Sequence, residues 1–199
     1  MKPLCQVIAV LLTLATLFCA EAPAGEVLRS SVGHASGEYT LHLEMRVQGE
    51  PELLRKLITD FDHLGQLNRT IVESRRLASD KPRVEKMRVV MQECLFLFCP
   101  RLVQTQEVRQ TDNGDLMVTI VPEESDYEKG SSLWQFVEES PGLTRVTVEA
   151  RMTPRLLIPP LLGPPIVADL LFRRSLDMMN NLERLATSVA AVSSSAEKS

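Results

Sequence analysis

The chain has 199 residues, of which 44% are hydrophobic, 24% charged and 5% aromatic, and its formal net charge is −4. These values are typical of a globular domain and exclude a disordered chain, a collagen-like chain and a protein with many membrane spans. The mild acidity gives no clustered basic surface, so we expect no nucleic-acid partner. The length suggests one domain.

Residues 1–24 have the pattern of a secretory signal peptide. Lys2 precedes an apolar run from Leu4 to Ala20, and small residues then lead to Ala22-Pro23-Ala24, an A-x-A cleavage pattern. Cleavage after Ala24 would start the mature chain at Gly25. This pattern predicts a periplasmic or secreted protein.

Two other fates of this segment stay open at the sequence level. The apolar run is somewhat short for a bilayer, which needs about 20 residues, but an uncleaved membrane anchor is one alternative. Lipidation of Cys19 is the other, although the large Phe18 stands where a lipobox has a small residue.

The mature chain begins with a segment over residues 25–36, ahead of the first predicted strand. From Tyr39 to Val47 apolar and polar residues alternate, which is typical of a half-buried antiparallel strand. Pro51 suits the first turn of a helix, and that helix has its apolar residues on one face. A second short helix or turn is predicted over Asp62–Leu67.

Six further strands are predicted after these helices. They are Thr70–Ala78, Arg83–Glu93, Leu102–Gln110, Leu116–Pro122, Ser131–Glu138 and Thr144–Met152. Asp112-Asn113-Gly114-Asp115 is a strong hairpin turn between the third and fourth of them. These strands point to an antiparallel sheet.

Cys94 and Cys99 are the two cysteines that remain after cleavage, and an oxidising compartment favours a disulfide between them. On one straight strand they would lie about 16 Å apart. A disulfide needs Cα atoms within about 7 Å, so a bridge requires residues 95–98 to turn. Two reduced cysteines in a continuous buried strand remain the alternative. An apolar turn there would need a cover, whether from the fold, a ligand, a partner or a membrane.

The C-terminal third is different in character. Leu156–Pro165 contains four prolines and Gly163, which predicts a stiff, extended connection. A long helix is expected to begin near Pro164 or Pro165. It has one apolar stripe, formed by Val167, Leu171, Met178, Leu182, Leu185 and Val189. Residues 191–199 are expected to form a disordered tail.

The order β-α-α-β×6-α, ending in one long helix, resembles the START-like or SRPBCC superfamily, and in particular its polyketide-cyclase and coenzyme Q-binding branch. The similar motifs are Glu50–Leu54, Ile58–Phe61, Leu67–Ile71, Val121-Pro122 with Gly130 and Trp134, Thr144–Val146 and Ile158–Pro164. The resemblance covers residues 37–190. It implies an α+β helix-grip fold, in which a curved antiparallel sheet wraps the long C-terminal helix around an apolar cavity for lipids, sterols, quinones or polyketides.

This resemblance assigns two sets of candidate residues. The ligand-cavity candidates are Met87, Val89, Met91, Trp134, Phe136, Val148, Met152, Leu171, Met178 and Leu182. The candidates for the cavity mouth or for membrane contact are Leu95, Phe96, Leu97, Phe98, Ile158 and Leu161. Plain core packing remains the alternative for each methionine and for Trp134 and Phe136.

No motif predicts catalysis, a metal or a cofactor. The three histidines, His34, His42 and His63, show no metal-binding spacing, and neither a nucleophile elbow nor a phosphate-binding glycine loop is present. Glu93 interrupts an apolar stretch, so it is a candidate for a buried or cavity-facing carboxylate that pairs with Arg101 or Arg88, or for a position at the sheet rim.

The sequence therefore favours a monomer that binds or transports a hydrophobic small molecule in the cell envelope, with possible peripheral membrane contact. An interaction protein with a filled core and an aromatase/cyclase are the two alternatives.

Overall fold

One antiparallel sheet and one long helix form most of the protein. The structure is a computed structural model that describes residues 25–94, 99–155 and 163–196, with side chains as far as residue 192. The strands are β1 (Glu26–Ala35), β2 (Glu38–Gln48), β3 (Ile71–Leu77), β4 (Glu85–Gln92), β5 (Arg101–Gln110), β6 (Leu116–Ile120), β7 (Tyr127–Ser140) and β8 (Leu143–Pro154). The helices are α1 (Pro51–Ile58) and α2 (Gly163–Ala196), with short 3₁₀ helices at Leu64–Gln66 and Pro122–Glu124.

The eight strands lie in the order β1-β2-β8-β7-β6-β5-β4-β3. Strand β8 therefore returns beside β2, with Leu43 opposite Val148 and Tyr39 opposite Met152. The segment with α1 and the first 3₁₀ helix connects β2 to β3, at the far edge of the sheet. Each strand is antiparallel to its neighbours.

The alternation predicted for the first strand is confirmed in β2. Its buried side chains are Tyr39, Leu41, Leu43, Met45 and Val47. The residues between them are half-buried or exposed. This face packs against the second half of α2, where Met179, Leu182 and Ala186 are at most 1% exposed. The sheet and the helix thus form one core, as expected for two elements that each have one apolar face.

The element order differs from the predicted one at the N-terminal end. Residues 25–36 are not a separate segment, because Glu26–Ala35 forms strand β1, which pairs with β2. Its burial pattern does not alternate and most of its residues are exposed, so its sequence has no hydrophobic pattern that would predict a strand. Ser36 (φ 50°) and Gly37 (φ 81°), between β1 and β2, have the positive φ of a tight hairpin turn. This Ser-Gly pair is the signal from which a preceding strand could have been predicted.

Two further boundaries differ from the sequence prediction. The second short helix is a 3₁₀ turn of three residues, Leu64–Gln66. Helix α2 begins at Gly163, next to the predicted start, but continues to Ala196. It therefore covers most of the range in which a disordered tail was expected from residue 191. None of the described helices is both long enough and apolar enough to cross a membrane.

Candidate ligand cavity

Two adjoining cavities lie between the sheet and the first half of α2. The first has a volume of about 210 Å³ and is lined by β2–β8, by α1 and the segment that follows it, and by α2. The second has about 260 Å³ and lies among the ends of β4, β5 and β8 and the start of α2. The residues that line both are Asn68, Met91, Gln104, Met152, Leu171, Ser175 and Met178. Because the cavities share this wall, an elongated molecule that fills both occupies a volume in the usual range for ligand sites, about 300–1,000 Å³.

Most of the predicted cavity residues lie on these walls. Met87, Val89, Trp134 and Val148 line the first cavity, while Met91, Met152, Leu171 and Met178 line both. That these side chains contact a ligand stays a prediction.

Phe136 and Leu182 lie elsewhere, in the packed core. Phe136 shares a face with Trp134, but the guanidinium of Arg55 lies 5.7 Å from its ring centre. Leu182 is one turn beyond Met178, where α2 already contacts the sheet, and it is 0% exposed. The cavity therefore ends between Trp134 and Phe136 along β7, and between Met178 and Leu182 along α2.

The predicted mouth residues Leu95, Phe96, Leu97, Phe98, Ile158 and Leu161 all lie outside the described residues, so their role stays a prediction. The residues next to these two segments do line the second cavity. They are Glu93 and Pro100 beside the first segment, and Pro154 and Val167 near the second. The second cavity thus lies at the end of the molecule where both segments leave the described fold.

A disulfide joins Cys94 to Cys99, with their Cα atoms 3.9 Å apart. Of the two arrangements that the spacing left open, the bridged one is present. A continuous strand through both cysteines is excluded, because it would separate them by about 16 Å.

Tyr39 supplies an unusual polar group in the second cavity. The residue is 2% exposed, and its hydroxyl has no hydrogen-bond partner among the described residues. A buried polar group without a partner costs about 1–3 kcal/mol, so such groups are rare in folded proteins. In contrast to the Tyr39 hydroxyl, the Oδ1 atom of Asn68 has hydrogen-bond partners. It accepts hydrogen bonds from the backbone nitrogen and the hydroxyl of Thr70, at 3.0 and 2.8 Å.

Tyr127 is the second phenol in the wall of this cavity, and it is 3% exposed. Burial raises the pKa of its hydroxyl to about 12, with a smaller contribution from the neighbouring Asp126 carboxylate. Burial also raises the pKa of Tyr39. Both phenols are therefore neutral at physiological pH and able to donate a hydrogen bond.

Arg174 on α2 binds Glu93 at the end of β4. Its Nε and Nη2 donate to the two carboxylate oxygens of Glu93 at 2.6 and 2.9 Å, and its Nη1 donates to Asp177 at 2.9 Å. The hydrogen bond to Glu93 is the main cause that raises the pKa of Arg174 above its ordinary value. Glu93 and Arg174 both line the second cavity.

The partner of Glu93 differs from the two that the sequence suggested. Arg101 instead makes a 3.5 Å contact with Glu73. The sequence feature that could have identified Arg174 as a partner facing the sheet is its position in the helix. It lies three residues after Leu171 and four before Met178, which puts it beside the apolar stripe.

The histidines lie outside both cavities. His63 contacts Asp60 at 2.9 Å, and this hydrogen bond raises the pKa of His63, but the pair is largely exposed. His42 pairs with Glu149 at 3.5 Å, and the ring of His34 packs against that of Tyr39 at a tilt of 41°, with ring centres 4.5 Å apart. Within residues 25–94, 99–155 and 163–196, no group of three or more His, Cys, Asp or Glu side chains is arranged to hold a metal ion.

A sheet closed against one long helix over an apolar cavity is the arrangement of the helix-grip fold, and solved structures share it. A START superfamily protein from Mycobacterium smegmatis is 18% identical with a TM-score of 0.61, over 75% of this chain and 98% of that one. The Zhui aromatase/cyclase from a Streptomyces species is 11% identical with a TM-score of 0.60, over 75% and 94%. A STAR-related lipid transfer protein fragment from Xanthomonas axonopodis is 15% identical with a TM-score of 0.55, over 77% and 98%.

The chain therefore has the START fold, and the resemblance in its sequence is confirmed at the level of the fold. No family model matches the sequence, and no curated protein matches it either.

Proposed function

We propose that the protein binds an uncharged, largely apolar small molecule in the joined cavities and carries it without changing it chemically. The observation that supports this most directly is the unpaired Tyr39 hydroxyl within mostly apolar walls. A ligand oxygen beside this hydroxyl would supply the missing partner, and the rest of the ligand would contact apolar side chains. The fold is shared with a lipid transfer protein and an aromatase/cyclase, which supports a ligand of this kind. A lipid, a quinone or a polyketide-like molecule has the required chemistry.

The charges around the second cavity argue for an uncharged ligand. Glu93 and Asp177 together provide one more carboxylate than Arg174 can neutralise. Since the guanidinium is already occupied on both sides, the described residues that line this cavity offer an anionic head group no free cation, and such a group would face an excess negative charge. A hydroxyl or carbonyl group meets no such cost.

Binding without catalysis fits the described residues better than an aromatase/cyclase does. In the wall of the second cavity, Glu93 and Arg174 bind each other in bidentate geometry. The exposed pair of Asp60 and His63 lies outside both cavities. A protein that acts only through its surface would leave the cavity without a role.

The site of action that we propose is the cell envelope. The signal-peptide pattern of residues 1–24 supports export, and the Cys94–Cys99 disulfide is of a kind that persists in oxidising compartments. Peripheral membrane contact near the second cavity is part of this proposal.

Native mass spectrometry of protein purified from the envelope of the cells that make it tests the proposal. We expect one small molecule per chain, released by organic solvent. An apo mass, together with no change in fluorescence when a total lipid extract of the same cells is added, would overturn it. Trp134 is the chain's one tryptophan and lines the first cavity, so its fluorescence reports on occupancy.

Two matched serine variants separate binding from folding. Ser175 lines both cavities, and its hydroxyl donates a hydrogen bond to the Leu171 carbonyl, at 2.8 Å. Ser175→Leu fills the junction of the cavities, so we expect loss of the co-purified ligand with the melting temperature maintained. Ser188 makes the same kind of bond, to Leu185, on the exposed face of α2. Ser188→Leu is therefore expected to retain the ligand.

Tyr39→Phe tests the polar contact. Removal of an unpaired buried hydroxyl leaves the apo protein as stable or more stable, whereas loss of one hydrogen bond to the ligand lowers its affinity about fivefold. Titration of Trp134 fluorescence with the extracted ligand measures the affinity. Equal affinity in both proteins would contradict a ligand contact at Tyr39.

A further inference from the structure

Glu183 on α2 has a buried carboxylate that faces the start of β1. The residue is 8% exposed. Its Oε2 accepts a hydrogen bond from the backbone nitrogen of Gly25 at 2.5 Å, and its Oε1 accepts one from the backbone nitrogen of Gln48 at 3.0 Å. The carboxylate thus connects the first residue of the described fold to the end of β2.

This carboxylate has no cationic partner in the described ranges 25–94, 99–155 and 163–196. The carboxylates of β1 and β2 differ in this respect, since Glu26 pairs with Arg46 and Glu44 with Arg145. A buried charge without an opposite charge is costly, and native proteins usually pair such groups. The environment of Glu183 therefore lacks one positive charge.

The position of Gly25 leaves no room for a side chain. A Cβ atom there would lie 2.7 Å from the backbone oxygen of Arg46, 3.2 Å from the Glu183 carboxylate and 3.3 Å from Met45 Cε. Glycine is therefore required for this nitrogen to reach the carboxylate. The same glycine is the first residue after the A-x-A cleavage pattern.

We propose that cleavage of the Ala24–Gly25 peptide bond by a signal-peptide endopeptidase creates an α-ammonium group at Gly25 that forms a buried ion pair with Glu183. In this hydrolysis the oxygen of water joins the carbonyl carbon of Ala24, the C–N bond breaks, and the Gly25 nitrogen takes up protons from water. The products are the Ala24 carboxylate and the Gly25 ammonium, with no change of oxidation state. A free α-amino group is mainly protonated at neutral pH, so it supplies the missing charge.

The consequence is that maturation stabilises the fold. Before cleavage the Gly25 amide donates one hydrogen bond without a charge. After cleavage the ammonium ties β1 to the most firmly packed part of α2, where Leu182 and Ala186 are at most 1% exposed. This inference does not depend on the proposed ligand.

The experiment begins with expression of the full chain and a mass measurement of the exported protein, which we expect to begin at Gly25. The exported protein is then compared before and after enzymatic Nα-acetylation. Acetylation keeps the Gly25 N–H but removes its charge. We expect the melting temperature to fall by about 4 °C.

Glu183→Gln provides the test of the partner, because acetylation is then expected to leave the melting temperature unchanged. Asp169→Asn is the matched control on the same helix, since Asp169 is exposed and pairs with Arg173; acetylation should still lower its melting temperature. If Glu183→Gln does not fold, Gly25→Ala takes its place in the test. The added Cβ displaces the amine from Glu183, so acetylation is again expected to leave the melting temperature unchanged. An exported chain that begins at another residue, or equal melting temperatures with and without the acetyl group, would overturn the proposal.

Discussion

Arg173 and Arg174 are neighbours in sequence, yet their side chains have very different surroundings. Arg174 is 20% exposed and makes three charge-assisted hydrogen bonds, whereas Arg173 is 70% exposed and pairs with Asp169 one turn away. Bidentate pairs that are partly shielded from water are stronger than exposed ion pairs. Of these two arginines, only Arg174 links the helix to the sheet, so only Arg174 is expected to matter for stability.

We expect Arg174→Gln to lower the free energy of unfolding by about 1.5 kcal/mol, because Glu93 loses a bidentate partner while it remains largely buried. Arg173→Gln is the matched control and should change it by less than about 0.5 kcal/mol. Urea unfolding of both variants measures the difference. Similar losses for the two variants would show that the contact with Glu93 contributes little.

The alkaline titration of the chain's two tyrosines gives a second expected result at this scale. At pH 10, where a free tyrosine is half ionised, tyrosinate absorbance should be clearly less than half of its maximum, since burial raises the pKa of both Tyr39 and Tyr127.

Tyr127 also makes stability depend on pH. Its pKa is about 12 in the folded protein and about 10 in the unfolded chain, so its contribution is complete below pH 10 and is lost as the pH rises to about 12. Tyr127→Phe should lose less stability over this interval, as measured by urea unfolding at each pH. The same pH dependence in both proteins would contradict this assignment.

At the scale of the elements, α2 has two unlike halves. Between Gly163 and Met178 no residue is fully buried, whereas Met179, Leu182, Glu183 and Ala186 in the second half are. The cause is the cavity beneath the first half, which leaves its apolar side chains without close neighbours on the sheet. Few buried contacts generally mean easier local opening.

We expect the backbone amides of residues 163–178 to exchange hydrogen faster than those of residues 179–190. Hydrogen-exchange mass spectrometry on peptides from each half measures this, and bound ligand should slow the first half more than the second. Uniform exchange along α2, with and without ligand, would contradict the division.

The sequence predicted best those elements whose signal is local. The alternation of β2 and the apolar stripe of α2 are patterns within a single segment, and both were found. Strand β1 was missed because it is held mainly by backbone pairing at an edge and has no alternating pattern.

The candidate site was predictable in part for the same reason. Strand and helix periodicity identified which faces point inward, and the family resemblance then placed Met91, Met152 and Met178 at a cavity. Where the cavity ends was not predictable, because that depends on how β7 and α2 lie against distant segments. The pairing of Glu93 with Arg174 joins residues 81 apart, and no local pattern encodes it.

At the scale of the whole molecule, the sheet is open, with β1 at one edge and β3 at the other. An exposed edge is a template for pairing with another chain, and natural proteins blunt it with bulges and charges. Strand β1 has a register shift between Val27 and Arg29, and β3 has one between Ile71 and Glu73. Both edges therefore fit the monomer that is expected from the sequence.

Removal of β1 should change this behaviour. A chain that begins at Glu38 would expose β2, which pairs with β8 over ten residues in unbroken register and so offers a regular edge. We expect dimers or larger species in size-exclusion chromatography with light scattering. A chain that ends at Ala190 is the control, since it exposes no strand and should remain monomeric. A monomeric chain without β1 would show that this strand does not protect the sheet.

The irregular first strand is thus expected to prevent the edge of the sheet from pairing with a strand of another chain. It satisfies the backbone of β2 on one side, and its shifted register and charged residues make its other side a poor partner for a further strand. Since the strand begins one residue after Gly25, the cleavage site that we propose lies next to the element that we expect to keep copies of the protein apart. If cleavage secures Gly25 to Glu183 as we propose, it would also hold this protective strand in place at the edge of the sheet.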